Sequence, residues 1–186
     1  MRLATRPVCG RPSVHYASRQ GYERSWNGTM TLERFYWVED GWVAGSSRPG
    51  GLRDVRLPED LEELRAFGIG AIVSMTETPI DQIAVEEQGM RYSHIPVIDF
   101  TAPSVSQMLD ALADIDEAHA EGRAVLVHCA AGQGRSATIL CAWLIRQGST
   151  ADDAVAHLRT VCDRAVENDA QLACLASFER ERPWVV

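Results

Sequence analysis

VLVHCAAGQGRSAT, residues 125–138, is the stretch on which the fold turns. With Ala124 it opens as a continuous apolar run of strand length, and helical patterns lie on both sides of it in sequence. That combination predicts a central strand buried on both faces. From Ser136 to Arg146 the pattern is helical and apolar nearly all round, which predicts a buried central helix. Between them the chain turns at Gly132 and Gly134, which admit backbone angles that other residues resist. Ala130 and Ala131 keep side chains out of the way. A strand's carboxyl end handing over to a helix N-terminus supplies unpaired N–H groups and the positive end of a dipole. The expected product is a ring of inward-pointing donors, an anion nest. Arg135 adds a planar fork that can hold two phosphate oxygens.

Cys129 stands at the floor of that nest, where the field that attracts phosphate also favours a thiolate. A nucleophile and a phosphate cradle then coincide. The chemistry that needs both is attack of sulfur on phosphorus through a phosphocysteine. The competing reading is an inert buried cysteine after an apolar strand. The joint pattern His-Cys-x5-Arg followed by Ser is far more demanding than that reading requires. A nucleotide P-loop is excluded, because Gly-x4-Gly-Lys-Ser/Thr is absent.

Outward from this stretch, strands and helices alternate and then helices alone follow. Phe35 to Val38 and Trp42 to Ala44, separated by Glu39-Asp40-Gly41, predict a hairpin. Pro58 to Phe67 predicts a helix stopped by Gly68, Ala71 to Ser74 a buried strand, Ile80 to Gln88 a helix, and Arg91 to Ile95 a strand. Ser104 and Gln107 form a capping box opening a long helix. Val105, Met108, Leu109, Leu112 and Ile115 form its expected core stripe. Thr150 caps a further helix, and Ala170 to Glu181 carries the last. The expected fold class is α/β, a central, mostly parallel sheet with helices on its faces.

The 186 residues fit one domain, and 46% apolar with 24% charged residues supports a packed core. The net charge of −8 gives no general attraction for nucleic acid, so no nucleic-acid partner is expected. No apolar run reaches membrane-span length and no secretory h-region opens the chain, so no membrane partner is expected and the cytoplasm is the expected location. Five cysteines, none in a Cys-x-x-Cys pair, suggest neither disulfides nor zinc. Residues 1–30 read as a loosely packed tail: Arg2, Arg6, Arg11, Arg19 and Arg24 face one acid, Glu23, and Pro and Gly break any period. An Arg-rich presequence has the same composition. The domain is expected over 31–186.

HCAAGQGRSAT resembles the signature loop of the cysteine-based protein tyrosine phosphatases, specifically the small atypical dual-specificity branch of the VHZ-like kind. FYWVEDGWVAGSSRP, LRAFGIGAIVSMTE and IPVIDFTAPS resemble the corresponding segments, so the likeness spans about residues 33 to 180. The resemblance implies a phosphatase-type fold and no metal or other cofactor. It implies Cys129 as nucleophile and Arg135 as phosphoryl ligand, with the backbone amides of Ala130, Ala131, Gly132, Gln133, Gly134 and Arg135 completing the cradle. Ser136 matches the family hydroxyl that eases sulfur's departure; a helix cap is its plainer role, and one hydroxyl can do both. His128 resembles the histidine that organises the loop by hydrogen bonds. Asp99, in Asp-Phe-Thr-Ala-Pro, resembles the general acid, with Glu167 as an alternative acid and Gln171 as a candidate for positioning water. Surface positions at a helix start are the simpler account of those last two.

Ala130, Ala131 and Gln133 bring no basic side chain to the loop, where phosphoinositide phosphatases of the superfamily carry lysines. A monophosphate ester is therefore the expected substrate: phosphotyrosine in a protein, with phosphoserine and phosphothreonine open. A phosphate-binding module without turnover, and a phosphatase for RNA 5′ ends or small phosphate esters, are the alternatives. The oligomeric state is not legible.

Overall fold

The computed structural model describes residues 30–185. Apart from Met30, the expected tail lies outside the described residues; Met30 itself packs against the core. Five strands form one sheet: β1 (Tyr36–Glu39), β2 (Val43–Ser46), β3 (Ile69–Ser74), β4 (Arg91–His94) and β5 (Ala124–His128). Their order across the sheet is β1-β2-β5-β3-β4. Only the β1–β2 hairpin is antiparallel; β2–β5, β5–β3 and β3–β4 are parallel. The expected central, mostly parallel sheet is present.

Among the described residues six α-helices cover both faces: α1 (Leu57–Ala66), α2 (Gln82–Glu87), α3 (Val105–Ala120), α4 (Arg135–Arg146), α5 (Ala151–Val161) and α6 (Asp169–Glu181). Strand β5 shows why its run is continuously apolar. Val125 and Val127 join the core under α3, α4, α5 and α6. Ala124 and Leu126, on the opposite face, join the core under α1 and α2 with Leu61, Leu64 and Val85. Side chains alternate along a strand, so a strand covered on both faces has no polar position to spare. Each fully buried Leu or Val on it contributes about 1.5–3 kcal/mol of burial.

Local chemistry fixes the helix starts. Asp81 accepts from the Ile83 and Ala84 amides, Ser104 and Gln107 complete their capping box, and Thr150 and Asn168 cap α5 and α6. Because Asp81 is an extended cap, α2 begins at Gln82 rather than at Ile80. Val105 departs from its expected place in the core stripe: it is the first residue of α3 and is 39% exposed. Leu109 is only partly buried. The buried face of α3 instead runs through Met108, Ala111, Leu112, Ile115 and Ala118.

Candidate active site

The turn between β5 and α4 is held from outside. The Ala130 carbonyl accepts from the Arg48 amide (3.1 Å), and that of Ala131 accepts from the Arg34 guanidinium (2.7 Å). The Gly132 carbonyl accepts from the Tyr36 hydroxyl (2.8 Å), and that of Gln133 accepts from the Val166 amide (2.9 Å). No cis peptide interrupts the described backbone. In a trans peptide the N–H points opposite to the preceding C=O. Four carbonyls drawn outward therefore turn the amides of Ala131, Gly132, Gln133 and Gly134 inward. The Gly132 amide shows where they lead: it donates to Cys129 Sγ at 3.2 Å. Gly132 has φ 74°, and a Cβ there would stand 2.5 Å from the Ser46 carbonyl carbon. Only glycine fits. Helix α4 has no side-chain cap, so its first amides are left to a ligand.

Cys129 is buried, with the Ser136 hydroxyl 3.3 Å from its sulfur. Arg135 is 3% exposed and begins α4. Its guanidinium donates to the Val97 carbonyl at 2.8 Å and pairs with Asp99 at 2.6 Å. Asp99 lies on the loop after β4 with half its side chain exposed, and accepts from the Phe100 amide at 3.1 Å. The two sequence-predicted segments, 30 residues apart, thus meet at one ion pair.

His128 is fully buried at the end of β5, with Nδ1 3.3 Å from the Cys129 carbonyl. Burial pushes its pKa down to about 3, so it is neutral near pH 7. Burial pushes the Cys141 thiol up to about 12 and raises those of Cys162 and Cys174, which keeps them protonated. Arg48, beyond its amide contact, ties Asp54, Thr76 and the Thr78 and Pro79 carbonyls together. Glu167 packs on Gly134, where a Cβ would meet its Oε2 at 2.2 Å. Gln171 is fully buried, and both ends of its amide are engaged: Oε1 accepts from the Glu167 N–H and Nε2 donates to the Thr101 carbonyl.

Nothing in the sequence marked Arg34, Tyr36, Val166 or Asn168 as builders of the site. Tyr36 is a core-facing strand residue by pattern. Its hydroxyl, kept protonated by burial, becomes a donor only once β1 lies beside the loop.

A cysteine-centred turn of amides on this sheet order defines the cysteine-based tyrosine and dual-specificity phosphatase superfamily, and solved structures place this chain in it. The crystal structure of Tk-PTP in its active form superposes with a TM-score of 0.70 at 33% identity, covering 79% of this chain and 97% of that one. Kinase associated phosphatase, at 20% identity and a TM-score of 0.72, covers 87% of this chain and 99% of that one and shares the fold.

More particularly, the family described as "Polymorphic toxin system, DSP-PTPase phosphatase" matches residues 44–149, more than half the chain, and the chain belongs to it. Mouse dual specificity protein phosphatase 12 is 34% identical over 131 residues, 69% of this chain and 35% of that protein. Arabidopsis thaliana phosphatidylglycerophosphate phosphatase PTPMT2 is 28% identical over 127 residues, 66% of this chain and 56% of that protein. The chain thus spans about a third to somewhat over half of these relatives. No helix among the described residues is long and apolar enough to cross a membrane.

Proposed function

We propose that this chain hydrolyses phosphate monoesters, phosphotyrosine in proteins foremost, through a phosphocysteine. The observation that carries this reading is the sulfur of Cys129 facing the Gly132 amide and the Ser136 hydroxyl, inside a turn whose carbonyls are all drawn outward. Cys129 Sγ attacks phosphorus, the P–O bond to the substrate breaks, and the leaving oxygen takes a proton from Asp99. Water then attacks the phosphocysteine and gives its proton to the Asp99 carboxylate. The S–P bond breaks, and the Ser136 hydroxyl donates to the departing thiolate. Arg135 and the amides of residues 130–135 hold the equatorial oxygens in both steps. Such a loose transition state gains most from positioning and fixed charge. Glu167, packed on Gly134, is the second carboxylate within the site and the alternative acid.

Preference for a protein monoester is supported by the uncharged Ala130, Ala131 and Gln133. It is also supported by the exposed apolar side chains of Ile98 and Phe100 on either side of Asp99.

The test is the initial rate on an aryl phosphate and a phosphotyrosine peptide in the presence of a chelator, beside inositol phosphate and a 5′-phosphorylated RNA. Cys129→Ser should lose turnover by a factor of order 10⁴ or more while still binding phosphopeptide. Wild-type rates in that variant would end the proposal. Phosphopeptide affinity with no turnover in the wild-type chain would favour the binding-module alternative.

A further inference from the structure

The segment leading into α6 touches both loops of the site. On one side Val166 donates to the Gln133 carbonyl and Glu167 packs on Gly134. On the other, two side-chain amides reach the acid loop. Asn168 Nδ2 donates to the Phe100 carbonyl at 2.9 Å, and Gln171 Nε2 donates to the Thr101 carbonyl at 3.2 Å. These are the first two carbonyls after Asp99. The amides are locked to the backbone of their own segment as well: Asn168 Oδ1 accepts from the Gln171 N–H at 3.0 Å, and Gln171 Oε1 accepts from the Glu167 N–H at 2.9 Å.

What they hold is a conformation the loop would not keep unaided. Phe100 has φ 57°, the left-handed region, which costs a non-glycine residue about 1–2 kcal/mol. Such a residue persists only where its surroundings fix it. Phe100 itself is 70% exposed, so packing does not fix it; the Thr101 N–H and hydroxyl closing on the Ile98 carbonyl, and the Asn168 amide on the Phe100 carbonyl, do. Capping α6 requires only the Asn168 oxygen. The Nδ2 donor is surplus to the helix and is spent on the loop.

We propose that Asn168 and Gln171 are positioning residues for the acid step: they pin the Phe100 and Thr101 carbonyls and so keep Asp99 at the site, beside Arg135, within reach of the leaving oxygen. Neither side chain has a hydrogen bond to Cys129, Arg135 or the Asp99 carboxylate. The inference rests on Asp99 being the acid. It predicts a loss confined to substrates whose leaving group needs a proton.

Asn168→Asp isolates the effect, since the aspartate keeps the capping oxygen and removes the donor. Turnover would be compared on phenyl phosphate, whose leaving group must be protonated, and dinitrophenyl phosphate, whose leaving group departs as an anion. Asn168→Asp should slow phenyl phosphate by roughly ten- to a hundredfold, leave dinitrophenyl phosphate unchanged, and add nothing in an Asp99→Asn background. Gln171→Met should show the same leaving-group dependence. Equal slowing of both substrates, no slowing of either, or a full further loss on top of Asp99→Asn would overturn the proposal. An Asp99→Asn variant as fast as wild type on phenyl phosphate would instead remove the acid role of Asp99, and this inference with it.

Discussion

The loop after β5 and the loop after β4 meet at the Arg135–Asp99 ion pair, yet the chain builds them by opposite means. The first is buried, and four donors from three separate segments grip its carbonyls. The second is largely exposed at Ile98, Asp99 and Phe100, with Thr101 closing back on the Ile98 carbonyl and two side-chain amides at the start of α6 holding its carbonyls. On the proposed mechanism, the nucleophile and its cradle must be right before substrate arrives, since inward amides cost nothing further in the transition state. On the same mechanism the acid has to approach a leaving group whose position varies with the substrate. A surface loop with a few anchors supplies that reach.

Four experiments press on this contrast. The largest effect is expected at the exposed loop: Asp99→Asn should lower kcat on phenyl phosphate by about 10²–10⁴-fold, read by initial rates, with little change in urea midpoint because its side chain is half exposed. Gly132→Ala tests the rigid loop. Positive φ and a Cβ against the Ser46 backbone should cost about 3 kcal/mol in urea unfolding; a tolerated alanine would mean that the gripped loop yields.

Third is the acid response. The folded chain keeps His128 unprotonated down to about pH 3, whereas the unfolded chain binds that proton near pH 6.5. Between those limits the unfolded state binds more protons, so stability falls as pH falls. Between pH 6.5 and 5 the loss from this residue should be about 2 kcal/mol. A His128→Asn variant, followed by urea titration at both pH values, should lack that increment. Smallest is Tyr36→Phe, which deletes one of the four outer donors and leaves the Gly132 carbonyl only the Cys162 thiol at 3.7 Å. A loss of about 1 kcal/mol is expected, with the leaving-group dependence of turnover unaltered.

The features legible in the sequence were local ones. The run from Ala124 to Val127, the glycines and the arginine lie within a dozen residues, and the capping boxes within four. Their physics is complete at that range. The strand order was not legible, because β5 enters between β2 and β3 and no periodicity records which neighbour a buried strand takes. Tyr36 reaches the Gly132 carbonyl across 96 residues and Arg34 reaches the Ala131 carbonyl across 97. At that separation a strand tyrosine and a loop arginine look like any others. Val105 fitted its helical stripe and still fell outside the core, because periodicity fixes a face and not how deeply a helix's first residue is covered.

Those long spans govern the order of assembly. Closing contacts across nearly a hundred residues is slow beside forming a helix. A refolding chain, or one emerging from the ribosome, will hold Cys129 and Arg135 before it holds the hairpin that grips their loop. Helical circular dichroism should recover first and turnover last, which makes hydrolysis a gauge of the finished sheet rather than of compactness.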